Sequence, residues 1–348
     1  ARVCALMENN SNLTVLNTTN DKEFDFNQLV GMSRVELEGM YSRPSSSSLL
    51  KSLLECAEDI VVEGCFCRGD SMYMGKGTEA TIFSSQRHRQ FIVCFRGSPE
   101  QQHKPIKGKN AKQKDSGGVE SLLHPTHPVP VQISFRNEYF TNNIEEQVFA
   151  MLNDLVEDNP FCDVVFTGHS FGGALATIGA TRFAALYPMM TVSCHAFGTP
   201  KVGGMEFRGL ANSLPNLKIM RIENGTDRFV GAPEGLKWKH AGHTIAVHDT
   251  NPPSSDSKDS SKSKKGERKE SCALAYKFDN KPKDKNSVFA GISSPTAKKK
   301  KQGKRDHTII SYVHAMERFT HLGIPWVTNY VGHGEGINGL NAEARCVV

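Results

Sequence analysis

The sequence predicts an α/β protein built on a largely parallel sheet covered by helices on both faces. Three observations lead there. Phe91-Ile-Val-Cys-Phe95 is a continuous apolar run bounded by polar residues, the pattern of a strand buried on both faces. From residue 163 the chain alternates strand and helix, as Asp163–Thr167, Gly172–Leu186, Thr191–Phe197 and Leu217–Ile222. Between the first of these strands and its helix stands Gly168-His-Ser170-Phe-Gly172, a sharp-turn sequence.

The remaining segments follow in chain order. With 348 residues the chain can bury one large α/β core. Residues 1–80 read as an N-terminal flank, with a helix over 48–61 whose apolar side is Leu49, Leu50, Leu53, Leu54 and Ala57. Residues 81–250 read as the core. Within it, 99–130 is polar and too long for an ordinary connection, the position of a lid or binding loop, with a short amphipathic turn at Val119, Leu122 and Leu123. A helix over 143–158 carries Ile144, Val148, Met151, Leu152 and Leu155 on one side. Residues 251–305 are rich in Ser, Lys and Asp with no period of either kind, a basic low-complexity insertion expected to be disordered or loosely ordered. Residues 306–348 complete the core, beginning with a helix over 307–320 that Asp306 is placed to cap.

Charge and cysteine usage narrow the function classes. The net charge is +5, but 251–305 alone hold 16 Lys/Arg against 6 Asp/Glu, so the rest of the chain is mildly acidic. No aromatic side chain interleaves the Lys298–Lys301 cluster to stack bases, and no nucleic-acid partner is expected. Nine scattered cysteines include Cys65-Phe66-Cys67, too tight for a metal knuckle, so neither metal nor cofactor is expected. No stretch approaches the roughly 18 apolar residues of a membrane span. The chain opens on Ala1, which leaves a leading segment open, and cytoplasmic and secreted locations are not distinguished.

The chemistry centres on Ser170. In Gly-x-Ser-x-Gly the flanking positions must lack bulk, because side chains there would collide across the turn that exposes the serine. Val164-Val-Phe precedes the motif, and a helix rich in Ala174, Ala176, Gly179 and Ala180 follows it. Strand, elbow and small-residue helix together are the setting of a nucleophilic serine in an α/β-hydrolase fold.

Beyond the elbow the chain resembles the class 3 lipase family, the fungal-type triacylglycerol lipases of the α/β-hydrolase superfamily. Val164-Val-Phe-Thr-Gly-His-Ser-Phe-Gly-Gly173 is similar to the lipase serine signature. Phe95-Arg-Gly-Ser98 resembles the family's oxyanion strand end, and Phe197-Gly-Thr-Pro-Lys-Val-Gly-Gly204 its Phe-Gly-x-Pro-Arg-Val-Gly segment. Ile222-Glu-Asn-Gly-Thr-Asp227, closing at Pro233, resembles its acid loop. The resemblance spans roughly 85–245 and 305–320; the lid region and the insertion lie outside it.

A serine hydroxyl needs a base, itself oriented by a carboxylate, and in this fold the chain order is Ser, Asp/Glu, His. Asp227 lies beyond the strand-like Lys218–Ile222 and is the expected acid; Asp249, before Asn251-Pro252, is its competitor. The resemblance implies a structural histidine soon after the acid loop, matched by His240 and His243. It also implies a catalytic one after an Asp and before a Tyr-bearing helix, matched by His307 in Asp306-His-Thr-Ile-Ile-Ser-Tyr312. His169 is expected to pack rather than catalyse. The oxyanion donors are expected at the backbone N–H of Phe171 and at Ser98, the latter also open to a turn-capping role.

These readings converge on a serine ester hydrolase cleaving acyl esters of glycerolipids, with lipid or another acyl ester as its partner. The alternatives are a catalytically silent lipase-fold binder and a non-lipid carboxylesterase such as a feruloyl-type esterase. The cationic character of 99–130, with Lys104, Lys107, Lys109, Lys112 and Lys114, makes a polar lipid or small ester as suitable as triglyceride. The insertion 251–305 reads as a solvated loop or as a contact with anionic membrane surfaces.

Overall fold

The computed structural model describes residues 2–5, 7, 30–33, 35–36, 39, 59–67, 79–96, 117–121, 124–140, 143–249, 272–277 and 306–321. Among them one eight-stranded sheet dominates. Its strands are β1 (Ile60–Cys67), β2 (Glu79–Ser85), β3 (Gln90–Phe95), β6 (Asp163–His169), β7 (Val192–Phe197), β8 (Leu217–Asn224), β9 (His243–Asp249) and β10 (Cys272–Lys277). They lie side by side in that order. The middle five, from β3 to β9, run parallel, while β1, β2 and β10 attach antiparallel at the two edges. A separate two-stranded sheet pairs β4 (Gly117–Ser121) with β5 (His124–Val131). This is the α/β-hydrolase fold the elbow sequence implied.

The parallel strands bury both faces, which is why their sequences read as apolar runs. Alternate residues feed two hydrophobic layers. Ile82, Val93, Phe95, Val164, Phe166, Ala196 and Ile219 face one layer, with side chains from α1 (Ile133–Phe140), α2 (Ile144–Asp158), α3 (Phe171–Leu186) and α4 (Met205–Ser213). Phe83, Cys94, Phe197, Ile222 and Ile245 face the other, under α5 (Ile309–His321). Each fully buried large side chain contributes on the order of 1.5–3 kcal/mol.

Helix α3 is buried on nearly every side, and its small residues are the reason it fits. A Cβ at Gly179 would stand 3.1 Å from both the Phe166 ring and the Tyr139 hydroxyl. The chain leaves β6 in one direction along the sheet, to β7, β8 and β9, having arrived from β3 on the other side. The carboxyl end of β6 is therefore a topological switch point, where open sheets of this class bind ligands.

Three expectations need correction. The helix over 48–61 lies outside the described residues except at its end, where Ile60 and Val61 already belong to β1. The flank 1–80 thus supplies an edge strand, and Cys4 and Met7 join the layer under α5. The turn expected around Val119 is instead β4, held by its ladder to β5, while Leu122 and Leu123 lie outside the described residues. The insertion 251–305 contains β10, whose six residues pair with Thr244 to Asp249. A short strand is lost in a composition averaged over a long segment, whereas the open edge of β9 gains a full ladder by pairing it. The rest of 251–305 lies outside the described residues.

Candidate active site

Ser170 sits between the end of β6 and the start of α3 with φ 54° and ψ −117°, a left-handed conformation unusual for a residue bearing Cβ. Such a backbone costs on the order of 1–3 kcal/mol and is held only by its surroundings. Those surroundings are backbone packed on backbone. A Cβ at Gly168 would lie 2.3 Å from the carbonyl carbon of Gly172, and a Cβ at Gly172 would lie 2.3 Å from the Phe95 oxygen. The Ser170 amide donates to the Phe197 oxygen at 2.8 Å, tying the turn to β7. The glycines of the motif are there because nothing larger fits.

Asp227 hangs on the loop beyond β8. Gly225, at φ +52°, turns the chain, and the Asp227 amide donates back to the Asn224 oxygen at 3.0 Å. Its carboxylate is buried and well supplied with donors. Oδ1 accepts from the Phe229 amide at 2.9 Å, and Oδ2 accepts from the Tyr312 hydroxyl at 2.7 Å and faces His307 Nδ1 at 2.8 Å. On its other side the imidazole meets Ser170: Nε2 to Oγ is 2.8 Å. A carboxylate only accepts, so Nδ1 carries the hydrogen and Nε2 is left to accept from the serine hydroxyl. The structure thus brings Ser170, His307 and Asp227 into one hydrogen-bonded line from three separate loops.

The His307 ring is fixed from several sides. The Phe229 ring stacks on the His307 imidazole, centroids 3.9 Å apart at 25°. His169 Nε2 donates to the His307 carbonyl oxygen at 2.6 Å, so His169 packs against His307 and holds its backbone. Asp306 does not cap the last helix as expected. Its carboxylate accepts from the amide and hydroxyl of Thr226 at 2.7 and 2.9 Å, and its carbonyl accepts from Asn224 Nδ2 at 3.1 Å. The capping role falls to Thr308, whose Oγ1 accepts from the Ser311 amide at 3.3 Å. The residues preceding Asp227 and His307 are therefore clasped to one another. Tyr312 is buried, and burial first, then the Asp227 charge, push its hydroxyl well above the ordinary phenol range. It is a permanent donor.

The other expected residues divide. Phe171 is the first residue of α3, and its ring packs edge-on against Phe135 at 5.0 Å. Ser98 lies outside the described residues. The strand end leading to it is close by, since the Arg96 backbone would stand 2.7 Å from a Cβ at Gly172. The Arg96 side chain forms a buried pair with Glu79 at 2.7 Å. Asp249 ends β9 opposite Cys272, and the carboxylate that meets the imidazole is that of Asp227. His240 Nε2 donates to the Val230 oxygen at 2.8 Å and braces the acid loop, while His243 opens β9. Lys201 braces the same loop through the Gly231 oxygen, 2.9 Å from Nζ. Among the described residues no group of three or more His, Cys, Asp or Glu side chains could hold a metal ion. No helix among them is long and apolar enough to cross a membrane.

Sequence reasoning missed Phe229, Lys201 and the donor role of Tyr312. Only Tyr312 left a trace, as the tyrosine expected on the helix after the base. A stack or a clamp made by a loop residue has no periodic signature.

Comparison with known proteins is consistent with this geometry. A family model described as Lipase (class 3) matches residues 85–234. Phospholipase A1-II 1 of Oryza sativa subsp. indica is 35% identical over 98 residues, covering 28% of this chain and 24% of that protein. Phospholipase A1-IIbeta of Arabidopsis thaliana is 28% identical over 134 residues, covering 35% and 31% respectively. The chain thus spans about a quarter to a third of these curated relatives. Among solved structures, a Rhizomucor miehei lipase propeptide complex superposes at TM-score 0.49 with 19% identity, covering 71% of this chain and 65% of that one. The family match includes Ser170 and Asp227, whereas His307 reaches them from outside it through the fold. Over the matched segment 85–234 the chain is thus similar to the class 3 lipase family.

Proposed function

We propose that this protein is a serine ester hydrolase cleaving acyl esters of glycerolipids, with Ser170 as nucleophile, His307 as base and Asp227 as its orienting acid. The observation that carries the reading is the unbroken line from Ser170 Oγ through the His307 ring to Asp227 Oδ2, with 2.8 Å at both joints. That line sits at a buried, left-handed elbow at the switch point of the sheet.

The chemistry follows from the donor pattern. His307 Nε2 takes the Ser170 hydroxyl proton as Oγ attacks the ester carbonyl. Asp227 holds the Nδ1–H tautomer and balances the imidazolium that forms. The negative oxygen of the tetrahedral intermediate is met by the Phe171 amide at the amino end of α3 and, as the second donor expected from the sequence, by Ser98. His307 then gives its proton to the departing alcohol, leaving an acyl group on Ser170. A water activated by the same imidazole releases the acid.

The curated relatives carry the name phospholipase A1, which makes a glycerophospholipid the first substrate to try. Segment 99–130 is read as the lid, and the basic insertion 251–305 as the part that meets anionic membrane surfaces, drawn by about 1 kcal/mol per basic residue near the surface. No nucleic-acid partner is proposed.

The test is labelling with a fluorophosphonate probe, followed by p-nitrophenyl esters of graded acyl length and by phosphatidylcholine. Ser170→Ala should lose both labelling and turnover while keeping its circular dichroism spectrum. Ester turnover by a folded Ser170→Ala protein at near the parent rate would sink the proposal.

A further inference from the structure

Cys4 and Cys94, ninety residues apart in sequence, meet in the same buried layer. Cys94 lies on β3, whose far end leads to the elbow, and pairs in register with Thr167 on β6, three residues before Ser170. Cys4 lies in the helical segment 2–5, which packs on the sheet face that α5 also covers. The two sulfurs are 3.8 Å apart, with Cys94 Sγ–H donating to Cys4 Sγ, and both are buried and stand as thiols. Cys4 Sγ also lies 3.4 Å from the Thr167 hydroxyl.

We propose that Cys4 and Cys94 are an oxidation site, a thiol pair that a low-molecular-weight disulfide converts to a crosslink between the N-terminal segment and strand β3. This does not depend on the esterase reading. Disulfide bonding needs two sulfurs able to reach about 2 Å from backbones already side by side, and rotation about the two Cα–Cβ bonds must close the remaining gap. Among the described residues, other cysteines contact non-cysteine side chains, as Cys194 meets Thr177 and Cys65 meets Glu79 and Thr81.

The exchange is balanced. The Cys4 thiolate attacks one sulfur of the external disulfide and releases one small thiol. The Cys94 thiolate then attacks the Cys4 sulfur of the mixed disulfide and releases the second. The two cysteines are oxidised, the external disulfide is reduced, and their two protons end on the two released thiols. The Cys94 hydrogen bond, against the opposing effect of burial, draws the Cys4 thiol down to about 6, which suits Cys4 to attack first. Access comes from local opening of segment 2–7. Among the described contacts it is held by burial of Cys4 and Met7, by packing of Val3 and Ala5 on the same layer, by the Cys4 contact with the Thr167 hydroxyl, and by an exposed pair between Arg2 and Glu317 at 3.1 Å that holds little.

The experiment uses the full chain with its nine cysteines. Reduced protein is exposed to oxidised glutathione in two arms, once folded and once during refolding from urea. Remaining thiols are then alkylated in denaturant and the peptides mapped by mass. The expected result is a peptide joining Cys4 to Cys94, in the refolding arm at least, absent from Cys4→Ser and Cys94→Ser proteins. Its formation should raise the thermal midpoint by roughly 5 °C, because it closes a long loop in the unfolded chain. The proposal is overturned if both cysteines are recovered alkylated from both arms, if Cys4 joins a different cysteine, or if the crosslinked protein melts below the reduced one.

Discussion

Tyr312 donates its hydroxyl to Asp227 Oδ2 at 2.7 Å, the same oxygen that faces His307 Nδ1 at 2.8 Å. The Asn224 amide closes the arrangement by donating to the tyrosine oxygen at 3.2 Å. One carboxylate oxygen thus serves two donors, and the second fixes the direction in which the first is offered. Gly198, at φ +57°, leaves room for this, since a Cβ there would stand 3.0 Å from both the Asp227 oxygen and the Tyr312 hydroxyl.

Tyr312→Phe keeps the ring and deletes the donor. Hydrogen bonds to charged groups contribute about 1.5–3 kcal/mol, so kcat on a soluble ester should fall by roughly tenfold or more while KM stays put. Steady-state kinetics beside a urea melt separates the outcomes. An unchanged kcat with lowered stability would make Tyr312 a purely structural residue.

Gly172→Ala tests the elbow from its other side. The added Cβ would press on the Phe95 oxygen at 2.3 Å and on the Arg96 carbonyl at 2.7 Å, and all of these are backbone atoms. Relief requires β3 and α3 to separate, and overpacking of this kind costs about 1–3 kcal/mol. The variant should unfold at lower urea and lose most of its esterase activity even where it remains folded. Parent-like activity would mean that the close approach of β3 to the elbow is dispensable.

His195 gives a pH signature. Burial first holds its imidazole down to about 4, from an ordinary 6.5. The unfolded chain takes up the proton near 6.5 and the folded protein only near 4, so between these values the unfolded state binds more protons. Stability therefore rises with pH across that window and is lost as pH falls from 6.5 towards 4. Urea midpoints measured across it should decline on acidification, and His195→Gln should flatten the decline. An equal slope in the variant would assign the effect to another group.

The parts of this fold legible in the sequence share one physical trait: they announce themselves locally. Val164–Phe166 had to be apolar because both faces of β6 are covered, and Gly168 and Gly172 had to be small because backbones touch there. The alternation from 163 to 222 and helix α2 followed for the same reason. What escaped depends on partners far away in sequence. Strand β1 forms because β2 offers it an edge, and its residues alternate too weakly to show it alone. The Asp306 carboxylate looks like a cap until Thr226, eighty residues earlier, is seen to claim it. Phe229 reads as an ordinary loop residue until the fold lays it on His307. The meeting of Ser170, Asp227 and His307 was legible, but the bonds that steady them were not.

The last prediction concerns the insertion and follows from β10. Judged by composition alone, all of 252–304 is replaceable by a short Gly/Ser linker without loss. Pairing of Cys272–Lys277 with Thr244–Asp249 changes that expectation. Removing β10 leaves β9 as a bare edge, and β9 is parallel to β8, the strand whose end carries the acid loop. Two deletions should therefore part company. Replacing 279–304 by a Gly/Ser linker long enough to reach Asp306 keeps β10 and should preserve both melting temperature and turnover of a soluble short-chain ester. Replacing 252–304 removes the strand and should lower the melting temperature and promote association through the exposed edge, visible by size-exclusion chromatography with light scattering. The same pair of proteins tests the electrostatic reading, because the shorter deletion already removes Lys298 to Lys301. If those lysines meet membranes, it should weaken binding to anionic vesicles, and added salt should do the same to the intact chain by screening. Equal melting temperatures for the two deletions would make β10 dispensable, and unchanged vesicle binding would leave the basic run a solvated loop.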